Sequence, residues 1–416
     1  MNKNQKQNTN KKKRSPWIKK RHAVITNIAK LVLKPYIDAK YGIKMEKFKE
    51  QGDRQYLILS NHQTGFDQFF VAYAFDGPIY YIASEDIFSM GFISDMLRWA
   101  VNPIPIKKQT TDISAVLNCL RVAKEGGTIA VFPEGNRTYS GRTEYINPAI
   151  ITLAKKLSLP IALFKIEGGY GVSPRWADGL RKGKMRSYVS KVLEPKDYQS
   201  LSTEEFMELI HSELYVDEAN SNEEYRGERL AENLERAIYY CPSCNSLSTF
   251  KSCGDEMECK RCKMKVRYLP SKKLIGVNYD LPYRFVADWY DAQNAFVNSL
   301  DLTTMTKEPI YTEDCELSEV IVYKSKNAIL DRATVSLYGD RFEIRQGWNE
   351  FIYNFDDIRA ITVCGKNKLN FYVAEKAYQL TGGKSFNALK YVNLVFRYRN
   401  IKKKEKGEKY DEFLGL

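Results

Sequence analysis

The residues best suited to chemistry follow a short apolar run, Tyr56-Leu57-Ile58-Leu59, which delivers Ser60-Asn61-His62-Gln63-Thr64-Gly65-Phe66-Asp67. A histidine with a carboxylate five residues later is a pair that can move a proton. Five residues turn about 140° on a helix, so His62 and Asp67 cannot share one face of a continuous helix. The pair works if His62 lies on a loop after a strand and Asp67 lies in the first turns of the next helix. Thr64 or Gly65 then serves at the helix start. Asp67 can accept the imidazole Nδ1–H, fix the tautomer and leave Nε2 free as a base. The competing reading is a surface histidine beside an unrelated aspartate, and an isolated H-x4-D does not separate the two.

A second stretch does. Thr128-Ile129-Ala130-Val131-Phe132 reads as a buried strand and ends in Pro133-Glu134-Gly135-Asn136-Arg137-Thr138, about 70 residues after the first motif. Together the two stretches resemble the glycerolipid acyltransferase family. Bacterial 1-acyl-glycerol-3-phosphate acyltransferases in that family carry N-H-x4-D followed by F-P-E-G-x-R-[ST]. Both motifs match in full, and the resemblance covers roughly residues 20–215. Other blocks depart from the pattern. An arginine often stands between the motifs, where this chain has Ile104-Pro105-Ile106-Lys107-Lys108. The block after FPEG usually shows two prolines, and Leu159-Pro160-Ile161-Ala162-Leu163-Phe164 keeps the first. The resemblance implies an α/β acyltransferase domain, a lysophospholipid acceptor, and acyl-CoA or acyl-ACP as co-substrate.

Acyl transfer from a thioester to an alcohol needs a base and donors for the developing oxyanion. His62 can be the base with Asp67 as its orienter. Asn61, the Gly135 backbone N–H or the helix start after Gly65 can supply donors, and the sequence leaves all three open. An acceptor phosphate calls for a planar bidentate cation, which suits Arg137. Glu134 can hold Arg137 or a glycerol hydroxyl. Lys107 or Lys108 can add positive charge, against the plain reading of exposed lysines. No serine or cysteine sits in a G-x-S-x-G elbow, and Cys119 falls inside a predicted helix, so direct attack by the acceptor hydroxyl is expected. The expected reaction converts lysophosphatidic acid to phosphatidic acid. Its rivals are acylation of another lysophospholipid or of glycerol 3-phosphate, and a non-catalytic membrane lipid-binding adaptor. The four intact residues His62, Asp67, Glu134 and Arg137 count against the adaptor.

Five of the eight cysteines lie within residues 241–262. Cys241-Pro-Ser-Cys244 and Cys259-Lys-Arg-Cys262 have the spacing of a tetrahedral Cys₄ zinc ribbon, with rubredoxin-like iron as the minor alternative. Four thiolates leave no open position, so structural Zn²⁺ is expected and Cys253 is spare. Such a cluster suits metal in a reducing compartment better than disulfides.

At 416 residues and 44% apolar content, two or three domains with real cores are expected. The net charge of +13 is concentrated. Residues 1–37 hold eleven Lys or Arg and no acid, leaving the remainder at +2. The mean hydropathy of −0.46 and the lack of a run of 18 apolar residues argue against a spanning helix. No secretory leader is expected, because the basic N-terminus runs into an amphipathic stretch. The predicted division is a disordered basic tail at 1–16 and an amphipathic membrane-anchor helix at 17–37, its helical pattern running to about Lys34, before Pro35. An α/β acyltransferase domain at 38–220 and a helical linker at 221–240, with a charged helix over 223–237, come next. The zinc ribbon at 241–268 and a helical connector at 269–310 follow. An α+β, PH/GRAM-like β-barrel domain at 311–400 and a charged, solvated tail at 401–416 complete it. On the anchor helix Trp17, Ile18, Val24, Ile25, Ile28, Leu31 and Val32 form an apolar arc. Anionic membrane lipids are the expected partner, against the alternative of a helix packed on the protein's own core. Nucleic acid is not expected, since the basic run lacks interleaved aromatics. The expected location is cytoplasmic, peripheral on the inner face of the cell membrane.

Overall fold

The computed structural model describes residues 15–106, 112–219, 221–321, 324–410 and 412–415. The predicted tail through Arg14, together with Lys107 and Lys108, lies outside the described residues. Strands β1 (Ile43–Met45), β2 (Leu57–Ser60), β3 (Ile79–Ser84), β4 (Ile104–Ile106), β5 (Thr128–Val131), β6 (Ile161–Glu167) and β7 (Met185–Leu193) form one sheet. Its order is β1-β7-β6-β2-β5-β3-β4, and every pair is parallel except β6 with β7. Helices α1 (Lys20–Tyr41), α2 (Asp67–Ala74), α3 (Phe92–Ala100), α4 (Ile113–Lys124) and α5 (Ala149–Leu157) surround it.

A central parallel strand is buried on both faces, which is why β2 is an unbroken apolar run rather than an alternating one. Its neighbours still divide by parity. Leu57 and Leu59 pack with α4, α5 and the helix Thr203–Leu214, whereas Tyr56 and Ile58 pack with α1 and α2. Asp112 caps α4, its side chain accepting the Ala115 N–H at 3.1 Å.

Helix α1 departs from its expected bounds, starting at Lys20 rather than at Trp17. It runs through Pro35 to Tyr41, because Ile37 and Tyr41 beyond the proline are buried and hold the extra turns in place. The middle of its apolar arc faces away from the protein, whereas Trp17 and Ile18 at the start of the arc pack against the core. Val24, Ile28, Leu31 and Val32 are exposed, while His22 and Thr26 are buried and Lys30 donates to the Phe75 carbonyl. Among the described residues nothing covers the middle of this apolar face.

The charged helix predicted over 223–237 is absent, and only the turn Leu234–Arg236 is helical. Tertiary partners take its backbone instead: Tyr225 N–H goes to Pro270, Leu230 N–H to Asp255 and Asn233 N–H to Ser252. Arg229 and Asn233 are left-handed, which a helix does not allow. This strap joins the first domain to a four-stranded sheet of β8 (Phe250–Cys253), β9 (Glu256–Cys259), β10 (Lys265–Tyr268) and β11 (Leu274–Gly276), ordered β11-β10-β9-β8. The connector contains the helix Val286–Ser299.

Strands β12 (Tyr311–Val320), β13 (Lys326–Leu337), β14 (Arg341–Gln346), β15 (Asn349–Asn354), β16 (Ile358–Cys364), β17 (Lys368–Val373) and β18 (Lys376–Gly382) form an antiparallel sheet, ordered β15-β14-β13-β12-β18-β17-β16. Among the described residues β15 and β16 do not pair, so the sheet is a curled half-barrel rather than a closed barrel. The helix Leu389–Glu405 packs against it. The solvated-tail expectation for 401–416 fails at its end. Leu414 is buried, Phe413 stacks on Tyr145 at 4.2 Å, and Asn393 donates to the Leu414 carbonyl. Two apolar residues after the charged run supply the reason, since burying them returns the chain to the core.

Candidate functional site

The site forms where β2 and β5 end side by side. His62 lies on the loop after β2, and Asp67 is the first residue of α2. Asp67 is fully buried, and its Oδ2 stands 2.7 Å from His62 Nδ1. The same carboxylate accepts the Gln63 N–H at 2.6 Å, the Thr64 N–H at 3.0 Å and the Thr64 hydroxyl at 2.7 Å. These donors lock its position, so it can fix the imidazole tautomer and direct Nε2 elsewhere. The His62 ring also stacks on Phe132, centroids 4.4 Å apart.

The remaining polar groups of the corner are structural. Asn61 Nδ2 donates to the Ile166 carbonyl and its Oδ1 accepts the Ile166 N–H, both at 2.8 Å, which zips the loop to β6. Gln63 accepts the Tyr170 N–H at 2.7 Å. As an oxyanion donor Asn61 would have to share an amide already committed at both ends.

The Pro133–Thr138 turn is tied to the first corner from two sides. Glu134 Oε1 accepts the His62 N–H at 2.8 Å, and the Thr138 N–H donates to the His62 carbonyl at 3.1 Å. Glu134 Oε2 accepts the Glu144 N–H at 3.2 Å, so its carboxylate holds backbone rather than Arg137. Burial, with the charges of Glu144 and Asp67 behind it, outweighs these donors and raises the Glu134 pKa to about 8. Gly135 has φ +72°, the left-handed turn that glycine tolerates, and its N–H donates to the Phe132 carbonyl.

Arg137 turns into the same space. Burial, then the Arg175 charge, lowers its pKa to about 10, with Asp67, Tyr139 and Tyr41 acting in the opposite sense. Its guanidinium forms no hydrogen bond or ion pair among the described residues. A desolvated cation without a carboxylate partner is an anion site in waiting. Lys107 and Lys108 lie outside the described residues.

Sequence reasoning missed Arg175. It is buried, donates to the Arg137 carbonyl at 2.8 Å and to Asn136 Oδ1 at 3.3 Å, and lies 4.3 Å over the Tyr139 ring. Its signal, an arginine between Pro174 and Trp176 in a loop, carries no spacing that points to the turn 38 residues earlier.

A mostly parallel α/β sheet, with a histidine–carboxylate pair ending one central strand and an arginine-bearing turn ending its neighbour, is an arrangement suited to acyl transfer. The comparisons agree: residues 42–164, which include both motifs, match the family model described as Acyltransferase. Among curated relatives, a chloroplastic 1-acyl-sn-glycerol-3-phosphate acyltransferase of Brassica napus is 23% identical, covering 33% of this chain and 41% of that protein. One from Arabidopsis thaliana is 23% identical, covering 42% and 49%. The 1-acyl-sn-glycerol-3-phosphate acyltransferase of Bacillus subtilis (strain 168) is 21% identical, covering 42% of this chain and 84% of that protein. The chain thus spans less than half the length of the two plastid relatives. Among solved structures, the 1-acyl-sn-glycerophosphate acyltransferase PlsC of Thermotoga maritima overlays in part, with TM-score 0.36, 20% identity, and coverage of 45% of this chain and 78% of that one.

The four cysteines converge as their spacing predicts. Cys241, Cys244, Cys259 and Cys262 place their Sγ atoms within 4.8 Å of one another, and exposed Cys253 is not among them. Cys241 and Cys262 sulfurs are 3.6 Å apart, and those of Cys244 and Cys259 3.8 Å. A tetrahedral ion with metal–sulfur bonds of about 2.3 Å needs sulfurs about 3.8 Å apart, so the donor set fits. Asn245 and Lys263 are both left-handed, closing each knuckle without glycine.

Proposed function

We propose that the protein acylates the free hydroxyl of lysophosphatidic acid, giving phosphatidic acid for phospholipid synthesis. The observation that carries this reading is the desolvated Arg137 guanidinium, without a hydrogen-bond or ion-pair partner among the described residues, on the turn that also holds the His62 backbone. In the proposed reaction Arg137 binds the acceptor phosphate. His62 Nε2 takes the proton of the acceptor hydroxyl as its oxygen attacks the thioester carbonyl. The tetrahedral intermediate then expels the thiolate, which recovers the proton from the imidazolium. Asp67 holds the imidazole in the required tautomer and stabilises its charged form. The relatives named as 1-acyl-sn-glycerol-3-phosphate acyltransferases favour this acceptor over other lysophospholipids or glycerol 3-phosphate.

The outward apolar arc of α1, behind a segment with eleven basic residues and no acid, supports docking of this enzyme on anionic lipid. Among the described residues no helix is long and apolar enough to cross a membrane. Cys241, Cys244, Cys259 and Cys262 would hold one structural Zn²⁺, which ties the two knuckles together. The test of the function is acyl transfer by the purified full chain with acyl-CoA and with acyl-ACP. Lysophosphatidic acid, other lysophospholipids and glycerol 3-phosphate serve as acceptors. Turnover of lysophosphatidic acid above the others is expected. No transfer to any acceptor with either donor would sink the reading.

A further inference from the structure

Helix α3 has almost no core of its own. Ser94 is its one buried residue, and its large side chains point outward. Phe92 is 80% exposed, Trp99 56%, Ile93 52% and Met96 51%, with Met90 beside them at 48%. Phe92, Met96 and Trp99 follow one another by four and three residues and so share a face. Large apolar side chains exposed in this concentration mark a contact surface rather than ordinary scatter.

That surface is joined to α1. Arg21 Nε donates to the Trp99 carbonyl at 2.9 Å, and its guanidinium lies 5.2 Å from the Trp99 ring centroid. Trp17 Nε1 donates to the Asn102 carbonyl at 3.0 Å, just past the end of α3. At its other end α1 reaches the catalytic corner, with Tyr41 5.4 Å from the ring of Phe66, the residue before Asp67. Charge selects the occupant. Residues 1–37 carry eleven cations and no acid, and the acid on α3, Asp95, is paired with Arg98 at 3.6 Å. An apolar face bordered by cations suits an anionic lipid surface.

We propose that α3 is a second bilayer-docking element, inserting Phe92, Ile93, Met96 and Trp99 at the interface of an anionic membrane alongside α1. The inference rests on the reading of α1 as a lipid contact and extends it. One interfacial helix leaves the protein free to roll about that helix. A second apolar contact beside it removes that freedom and fixes the height and tilt of the His62 corner above the lipid that supplies the acceptor.

The test uses the full chain with phosphatidylcholine–phosphatidylglycerol vesicles. The double variant Phe92→Ser, Met96→Ser removes no core, since both side chains are exposed. Its vesicle partition is expected to fall by about tenfold or more, the equivalent of one large apolar side chain left in water. Turnover of a short-chain, monomeric lysophosphatidic acid should stay near normal. Brominated lipids should quench the wild type more than Trp99→Phe. The α1 variant Leu31→Ser, Val32→Ser separates the two readings. If it loses binding while the α3 variant partitions like wild type and Trp99 is unquenched, the α3 inference is wrong and the α1 reading stands. If only the α3 variant loses binding, the α3 inference stands and the α1 reading fails. A wild type that ignores the vesicles, or a self-associated wild type whose dimer rather than vesicle binding is lost in the α3 variant, overturns the proposal.

Discussion

At the cysteine centre four thiols come from two turns within residues 241–262, and each turn presents a pair of sulfurs. At the His62 corner the groups come from the ends of β2 and β5 and are braced by β6, more than 70 residues apart in sequence. Both regions bury acidic groups, but they settle the charge differently. Four thiolates this close would need a dication between them, as the proposed zinc supplies. Glu134, buried without a cationic partner among its hydrogen bonds, keeps a proton instead. One centre is therefore local in the chain and would depend on metal, while the other is assembled by the whole sheet and depends on burial. The two also touch. Tyr268 of β10 meets Trp176 edge-on at 5.5 Å and accepts from Arg181 at 3.1 Å, while Arg175, next to Trp176, holds the Arg137 carbonyl.

The largest effect should come from His62, the proposed base. His62→Ala is expected to lower turnover by about 10²–10⁴, the usual range for loss of a general base. The vesicle binding and fold should be kept, because the ring fills a partly open position. Near-normal kcat in steady-state assays would remove His62 from the chemistry. Asp67→Asn should damage kcat as well, since the amide cannot favour the same imidazole tautomer.

Arg137→Lys sharpens the electrostatic half of the comparison. A lysine keeps the charge but loses the fork that grips two phosphate oxygens. Acceptor kcat/KM should fall about 10–100-fold, the scale of one or two lost charged hydrogen bonds, with donor KM little altered. A loss confined to the donor would move Arg137 to the other end of the cleft.

The metal centre should answer more weakly in activity and completely in metal content. Cys259→Ser is expected to take zinc from one per chain to none, while Cys253→Ser keeps it. Hydrogen exchange should speed across residues 241–276, since the metal supplies much of the folding free energy of so small a sheet. Turnover should drop by less than about tenfold, through the Tyr268–Trp176 contact to Arg175. A zinc-free wild type, or undisturbed exchange in Cys259→Ser, would break the contrast between the two regions.

What was legible follows the same division. The knuckles could be read because their ligands are close in sequence, and the central strands because they are continuous apolar runs. The edge strands β1 and β4 were not anticipated, being three residues each and fixed by their pairing partners. Residues 223–237 have helical composition, yet Tyr225, Leu230 and Leu234 are buried in places that only an irregular strap can reach. Arg175 and the true bonds of Glu134 were hidden for a related reason. A buried hydrogen bond between distant loops leaves no period in the sequence. The outward face of α1 was visible as an arc but not as a direction, because an apolar arc does not say whether protein or lipid covers it.

The smallest predicted effect tests the proton on Glu134, the feature that most separates the corner from the cysteine centre. Its pKa rises from an ordinary 4.5 to about 8, chiefly through burial. The folded chain therefore holds a proton that the unfolded chain releases as pH climbs through about 4.5. The resulting stabilisation is complete below about 4.5 and is lost progressively as pH rises to about 8. Glu134→Gln cannot titrate. Its amide oxygen can still accept the His62 N–H, but its NH₂ cannot accept the Glu144 N–H, a cost that does not vary with pH. The variant should thus start less stable than wild type at pH 5 and close that gap by pH 8, which melting temperatures of the two proteins measure directly. Parallel curves across that range would mean that Glu134 stays ionised in the fold. The corner would then settle its buried charge with a cation, as proposed for the cysteine centre, and Arg137 would be the first residue to suspect.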